Sequence, residues 1–168
     1  MADEGAAVPL EIVGVRLELP SNQPIVLLKE QEGSRYLPIW IGASEATAIA
    51  TAMEGVEPPR PLTHDLMRSV IDAVGALAVR VVITEMRDSI FFADLVLDVS
   101  GEEITVSSRP SDAIALAVRT GTPVLTAPDV LEEAGVHFED EDEEDEVARF
   151  REFLEEVTVE DFLGGEQT

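Results

Sequence analysis

The sequence predicts an α+β domain, in which a mainly antiparallel or mixed sheet packs with three to four helices, followed by an acidic C-terminal tail. In several stretches every second residue is apolar, which is the pattern of a half-buried strand. Other stretches repeat apolar residues every three or four positions, which is the period of a helix. Turns separate these stretches, and the strands come in consecutive runs instead of alternating strictly with helices. That order is typical of α+β folds.

The first third of the chain should form an antiparallel meander of three strands. Apolar residues alternate over residues 9–19, and residues 25–29 and 35–41 continue as strands after polar turns. Pro38 lies inside the third stretch, where it cannot donate a hydrogen bond to a neighbouring strand. The third strand should therefore lie at an edge of the sheet or carry a bulge.

Two helices should follow this meander. The first covers residues 45–54 with Ser44 as its N-cap, and the second begins after Thr63 as its N-cap. Apolar residues recur at helical spacing in the second helix, and its first turn holds His64 and Asp65.

The second half of the domain should open with a long hairpin. Apolar residues alternate with others over residues 77–86 and 91–99, which lie on either side of a tight turn. Residues 103–107 form a further strand. A short strand over residues 123–126 and a short helix over residues 128–134 complete the domain.

A third helix, which lies between these last strands, should occupy the centre of the domain. Pro110 ends the preceding strand, Ser111 is placed to cap the helix, and Asp112 suits the positive end of the helix dipole. The residues that follow are almost all apolar, so the helix should be buried. Arg109 and Asp112 thus stand at the entrance of a core element, where they form either a functional site or a structural ion pair.

Composition excludes several classes of protein. A length of 168 residues favours one core, which we place at residues 9–136, with an N-terminal tail at 1–8 and a C-terminal segment at 137–168. The absence of cysteine excludes disulfides, thiol catalysis and cysteine-based zinc sites. The N-terminus does not resemble a secretory signal, and no apolar run is long enough to cross a bilayer, so we expect a cytoplasmic protein without a membrane partner.

The formal net charge of −24 is unusual for a nucleic-acid binder, because such proteins normally carry a basic surface. Much of this charge lies in the acidic run, residues 139–146, which should be a solvated or interacting segment. Val147, Phe150, Leu154 and Val157 then recur at helical spacing and predict an amphipathic C-terminal helix. The total charge therefore does not decide the function of the domain.

Candidate functional residues cluster at the starts of the predicted elements. The sequence lacks glycine-rich phosphate loops, the His-Glu-x-x-His zinc motif and the Gly-x-Ser-x-Gly elbow of serine hydrolases. A histidine at a helix N-terminus suits a general base, carboxylates bind Mg²⁺ or Mn²⁺, and arginines hold phosphate. We therefore expect catalytic roles for His64, Asp65 and Asp112, metal binding by Glu45, Asp88 and Asp112, and phosphate binding by Arg60 and Arg109.

Together these residue types are the parts of metal-assisted phosphodiester hydrolysis. Each also has a simpler explanation, since acids in a first helical turn stabilise the helix and Asp88 suits a turn. Trp40 and Phe91 are expected in the core.

Three motifs resemble the bifunctional nuclease domain family. They are Leu-Pro-Ile-Trp-Ile-Gly at residues 37–42 with Glu45 after it, Pro-Arg-Pro-Leu-Thr-His-Asp-Leu at 59–66, and Arg-Pro-Ser-Asp-Ala-Ile-Ala-Leu-Ala at 109–117. The resemblance implies a compact α+β domain, self-association with a dimer favoured, and both DNase and RNase activity for some relatives. Family members often carry an acidic residue where this chain has Ser107.

Two functions follow from the sequence. The first is a nuclease that cleaves DNA, RNA or both with the help of Mg²⁺ or Mn²⁺. The second is a non-catalytic interaction or regulatory module whose acidic tail contacts a basic protein partner. A combination of the two is also open, in which the acidic run competes with nucleic acid for the site.

Overall fold

The chain forms eight strands and four helices over the residues that the computed structural model describes, which are 6–136 and the backbone of 154–156. The strands are β1 (Val8–Glu18), β2 (Gln23–Glu30), β3 (Tyr36–Trp40), β4 (Ala76–Arg87), β5 (Ile90–Val99), β6 (Glu102–Ser108), β7 (Val124–Thr126) and β8 (Leu154–Glu156). The helices are α1 (Ala43–Met53), α2 (Thr63–Ala73), α3 (Pro110–Thr120) and α4 (Pro128–Ala134). The predicted α+β class is confirmed. No helix in the described part of the chain has the length and apolar character needed to span a bilayer.

The sheet joins two antiparallel meanders through one short strand. Its order is β3-β2-β1-β7-β4-β5-β6, and β8 pairs with β1 beside this path. The strand β7 is antiparallel to β1 and parallel to β4, so the sheet is mixed. Pro38 lies in β3 at the edge of the sheet, as the sequence predicted.

The helix α3 forms the centre of the core. It packs against α1, α2, β4 and β5, and its residues 113–117 are at most 2% exposed. Three of these five residues are alanines, whose small side chains allow the neighbouring helices and strands to approach closely. The burial predicted from the apolar run is confirmed.

The predicted helix caps are wrong. Ser44, Thr63 and Ser111 each lie inside their helices, and none of these helices has a side-chain hydrogen bond at its N-cap. In α2 the carboxylate of Asp65 accepts a hydrogen bond from the N–H of Leu62 instead, at 3.0 Å. In α2 a carboxylate of the first turn thus caps the N-terminus of the helix, the role that was predicted for the hydroxyl of Thr63.

The predicted C-terminal helix is wrong where the structure describes that segment. Leu154–Glu156 form the strand β8, antiparallel to residues 16–18 of β1. The strand β7 pairs only with residues 8–10 of β1, which leaves the rest of that edge open for β8. The acidic run and the remainder of the predicted tail lie outside the described residues.

Candidate active site

The first turns of three helices meet beside α3. Both α1 and α2 pack against α3, so that Glu45 in α1, His64 in α2 and Asp112 in α3 are brought close together. Arg109 is the N-cap residue of α3 and completes the group. We call Glu45, His64, Arg109 and Asp112 the polar network. A helix N-terminus carries a partial positive charge, so the three helix N-termini that meet here together favour the binding of an anion.

The polar network is a continuous chain of hydrogen bonds. Nε2 of His64 lies 2.9 Å from Oδ1 of Asp112. Arg109 donates from Nε to Oδ2 of Asp112 at 2.8 Å, and from Nη2 to Oε1 of Glu45 at 3.0 Å. Glu45, His64 and the pair of Arg109 and Asp112 are far apart in the sequence and therefore come together only in the fold.

Exposure increases along the part of this chain that runs from His64 through Asp112 to Arg109. The side chain of His64 is 9% exposed and that of Asp112 26%, whereas that of Arg109 is 65% exposed. The guanidinium is thus the group that a dissolved ligand meets first. The imidazole lies behind it and is held by Asp112.

The carboxylate of Asp112 is stabilised in its charged form. Partial burial alone would raise its pKa, but the hydrogen bonds from Arg109 and His64 outweigh this effect and lower the pKa below its usual range. The bonds from Arg109 to Asp112 and to Glu45 raise the pKa of Arg109. A charged carboxylate only accepts hydrogen bonds, so Nε2 of His64 donates to Oδ1 of Asp112.

Asp65 does not join the polar network. Its Oδ1 accepts a hydrogen bond from Nε of Arg119 at 2.7 Å, and Arg119 has a side chain only 5% exposed. Burial raises the pKa of Asp65, and the bonds from Arg119 and Leu62 more than reverse this, so the pKa is lowered overall. The carboxylate that was predicted as catalytic therefore fastens α2 to α3 and so positions the adjacent His64.

The other predicted site residues make no hydrogen bond or ion pair with the polar network in the described part of the chain. Arg60 is exposed in the connector between α1 and α2, and no hydrogen bond or ion pair to it occurs within the described residues. Asp88 is exposed in the turn between β4 and β5, with a positive φ of 52°. Ser107, where the family resemblance expects an acid, lies opposite Asp94 of β5.

The described residues contain no group of three or more His, Cys, Asp or Glu side chains that could hold a metal ion. Two carboxylates, those of Glu45 and Asp112, lie on either side of the Arg109 guanidinium. Bound Mg²⁺ commonly takes one or two protein carboxylates and completes its shell with water and substrate phosphate. Two carboxylates that already accept hydrogen bonds from Arg109 do not form a metal site closed by protein ligands, and they could supply only part of the shell of an ion that enters with a substrate.

A cleft of about 350 Å³ adjoins the polar network at Arg109. Trp40 lines the cleft and is 50% exposed, so its predicted place in the core is wrong. Its Nε1 donates to Oε2 of Glu18 at 2.7 Å. Phe91 also lines the cleft and packs against the core, as predicted. The sequence did contain the signal for Trp40, because Leu37 and Ile39 point inward and the residue after Ile39 must point outward.

Comparison with known proteins gives a consistent result. A model of the bifunctional nuclease domain matches residues 26–139, a range that includes the whole polar network. Uncharacterized proteins from two strains of Mycobacterium tuberculosis are 48% identical over 161 residues, which cover 91% of this chain and 96% of theirs. Bifunctional nuclease 2 of Oryza sativa subsp. japonica is 32% identical over 106 residues, or 61% of this chain and 33% of the plant protein. Bifunctional nuclease 1 of Arabidopsis thaliana is 30% identical over 105 residues, covering 60% of this chain and 32% of its own.

Proposed function

Because this chain belongs to the bifunctional nuclease domain family, we propose that it hydrolyses phosphodiester bonds of DNA, RNA or both at the polar network. The observation that carries this proposal is the hydrogen-bonded order His64–Asp112–Arg109, which places an oriented imidazole behind an exposed guanidinium. These are the groups that a phosphodiester hydrolase needs to activate water and to bind phosphate.

Each member of the network has a distinct role in this reaction. Arg109 uses one N–H group for Asp112 and one for Glu45, so its remaining N–H groups can bind a phosphate oxygen without breaking either pair. Asp112 accepts from Nε2 of His64 and so leaves Nδ1 as the base. A water molecule attacks phosphorus and gives its proton to Nδ1, while the bond from phosphorus to the leaving oxygen breaks and that oxygen takes a proton from solvent.

A divalent ion, Mg²⁺ or Mn²⁺, is part of the proposal. Glu45 and Asp112 would hold it, and Asp88 in the neighbouring hairpin turn is a further candidate ligand. When bound, it would neutralise charge on the phosphate. Arg60 remains a candidate for a phosphate further along the substrate, because it is exposed and cationic.

The test is cleavage of single-stranded and duplex DNA and RNA by the full-length protein with Mg²⁺, with Mn²⁺ and with EDTA. We expect Asp112→Asn and His64→Ala to reduce cleavage by about 10²–10⁴-fold. Glu103→Gln is the matched control, since Glu103 also pairs with an arginine, Arg80, but lies in β6 outside the network. Equal cleavage by wild type and the two network variants would contradict the proposal.

The proposal includes a homodimer, which two exposed apolar features support. Leu62, Leu66, Val70 and Val74 recur every four positions along α2 and its two cap residues and are 50–67% exposed. This spacing places them along one side of the helix, which forms an apolar stripe without a partner in the described part of the chain.

The edge strand β6 is a second exposed feature that supports the proposed dimer. Ile104 and Val106 are 46% and 43% exposed and lie opposite Leu97 and Leu95, whose side chains pack in the core on the helix side. A second copy paired antiparallel to β6 about Thr105 would place Ile104 opposite Val106 and each glutamate opposite a serine, which avoids pairing like charges.

A non-catalytic module is the second candidate function. The observation that favours it is the acidic run, because eight consecutive acids form a strong site for a basic protein partner. Deleting the tail would also remove β8, so the better variant replaces the eight acids with Asn and Gln at unchanged length. Loss of a basic partner from this variant, with no nuclease activity in the wild type, would favour the module over the enzyme.

A further inference from the structure

We propose that the cleft beside Arg109 binds an unstacked nucleobase, and that the preferred ligand is therefore a single-stranded nucleic acid. The inference rests on the proposed nuclease function for the class of its ligand. It adds a base-binding site, with Trp40 as its stacking platform, to the phosphate-binding network.

The walls of the cleft are suited to a flat apolar ring. They come from the end of β3, the turn before β5 and the start of α3, with Ile39, Ile90 and Phe91 as apolar lining residues. Ile90 lies at the hairpin and is 60% exposed, so the cleft is open to solvent on this side. The cleft also reaches Arg109, so a base bound in it would place its own phosphate beside the guanidinium.

Trp40 is exposed and yet held in place. Half of its surface is open to solvent, while the bond from Nε1 to Glu18 fixes the edge of the indole. An indole that is already ordered loses little conformational entropy when a base stacks on it. Burial in the core does not account for an exposed indole at this position, whereas stacking on a bound base does.

The electrostatics of the cleft favour stacking over charge as the source of affinity. Arg109 is the only basic residue among those that line the cleft, and the whole chain has a net charge of −24. A ligand that contacts one or two cationic groups should show a shallow salt dependence, with a logarithmic slope of about −0.7 to −1.4 for a single strand. Bases in a duplex are paired and stacked, so a duplex would have to expose a base before it could enter.

Trp40 is the only tryptophan in the chain, so its fluorescence reports on this cleft alone. We expect a short oligothymidylate to quench the fluorescence of the full-length protein saturably in EDTA, where metal-dependent cleavage is suppressed. A duplex of the same length should quench weakly, and an oligomer of the same backbone without bases should not quench. Equal quenching by the oligomer without bases, or no quenching by oligothymidylate, would overturn the inference.

Variants test the cleft by the anisotropy of a labelled oligonucleotide. Trp40→Ala and Ile90→Asp should each weaken binding about tenfold, and Trp40→Phe should restore most of the loss because it keeps an aromatic face. Leu77→Asp is the matched control for Ile90→Asp, since Leu77 is 67% exposed and does not line the cleft. Unchanged binding by Trp40→Ala would overturn the base site.

The outcomes separate this inference from the proposed reaction. Cleavage that is unaffected by Trp40→Ala, together with absent quenching, would overturn the base site and leave the nuclease in place. Saturable quenching that depends on the bases, without any cleavage, would support the base site and contradict the reaction.

Discussion

His64 and Asp112 join α2 to α3 by a contact of 2.9 Å between Nε2 and Oδ1, and Asp112 is in turn held by Arg109. The imidazole therefore has one orientation imposed from α3. Any reaction at this site depends on the relative placement of these two helices, and the predictions below address that placement as well as the chemistry.

Arg109→Lys should raise KM for nucleic acid about tenfold and change kcat much less. Lysine keeps the charge but cannot bond both Asp112 and Glu45 while presenting further N–H groups to a phosphate. Steady-state cleavage kinetics measure both constants. Arg68→Lys is the control, because Arg68 is exposed on α2 and pairs only loosely with Asp72 at 3.9 Å. An unchanged KM in Arg109→Lys would exclude a substrate contact for this arginine.

Asp65→Asn should lower the free energy of unfolding by about 3 kcal/mol, because it leaves the buried guanidinium of Arg119 without a charged partner. Urea unfolding at neutral pH measures the change. Asp72→Asn in the same helix removes an exposed pair and should cost no more than about 0.5 kcal/mol. If both variants lost the same small amount, Asp65 would not fasten α2 to α3.

The free energy of unfolding should fall as the pH drops below about 4. Asp65 and Asp112 have pKa values lowered in the folded state, so the unfolded chain binds protons first as the pH decreases. Their contribution is complete above the unfolded pKa and is lost as the pH passes through the folded one. Urea unfolding over this pH range should show a weaker dependence in Asp65→Asn, and an unchanged slope would contradict the assignment.

Leu66→Glu combined with Val70→Glu should convert a dimer to a monomer, since both side chains lie in the exposed apolar stripe of α2. Light scattering after size exclusion gives the mass directly. Leu77→Glu is the control, because Leu77 is 67% exposed but lies outside the stripe. The wild-type dimer should strengthen with added salt, which screens the repulsion between two acidic chains. A monomeric wild type at all protein concentrations would contradict the proposed dimer.

Replacing the eight acids of the acidic run with Asn and Gln should strengthen binding of nucleic acid. Leu154, the first residue of β8, lies opposite Glu18, and Glu18 holds Trp40 at the cleft. We expect the acidic segment before β8 to compete for this region, so the gain should be largest at low salt, where repulsion is least screened. Anisotropy titrations at two salt concentrations measure it, and equal affinities would exclude the competition.

Local periodicity predicted the helices and strands well, because the period of apolar residues depends on neighbours in the sequence. The bounds of α4 and the two meanders followed from it directly. The position of β7 between β1 and β4 did not, since the pairing of strands distant in sequence depends on how the whole sheet packs. The strand β8 was missed for the same reason. The apolar residues in and around it have helical spacing, but the strand pairs with the open edge of β1 instead of forming a helix.

The candidate site was predicted in its composition and only partly in its geometry. First-turn positions brought Glu45, His64 and Asp112 together, because three helix starts converge on α3. The partner of Asp65 could not be predicted, since Arg119 lies 54 positions away, at the far end of α3. Trp40 was predicted in the core, although the alternation of β3 already placed it outside.

The polar network also makes the order of folding matter. The bond from Arg109 to Glu45 spans 64 positions and the contact of His64 with Asp112 spans 48, so only the bond between Arg109 and Asp112 joins near neighbours in the sequence. Non-local contacts form late, after the intervening chain has been ordered. A chain emerging from the ribosome therefore has no working site until α3 is complete and docked. The proposed nuclease activity would thus be withheld from every partly folded form of the protein.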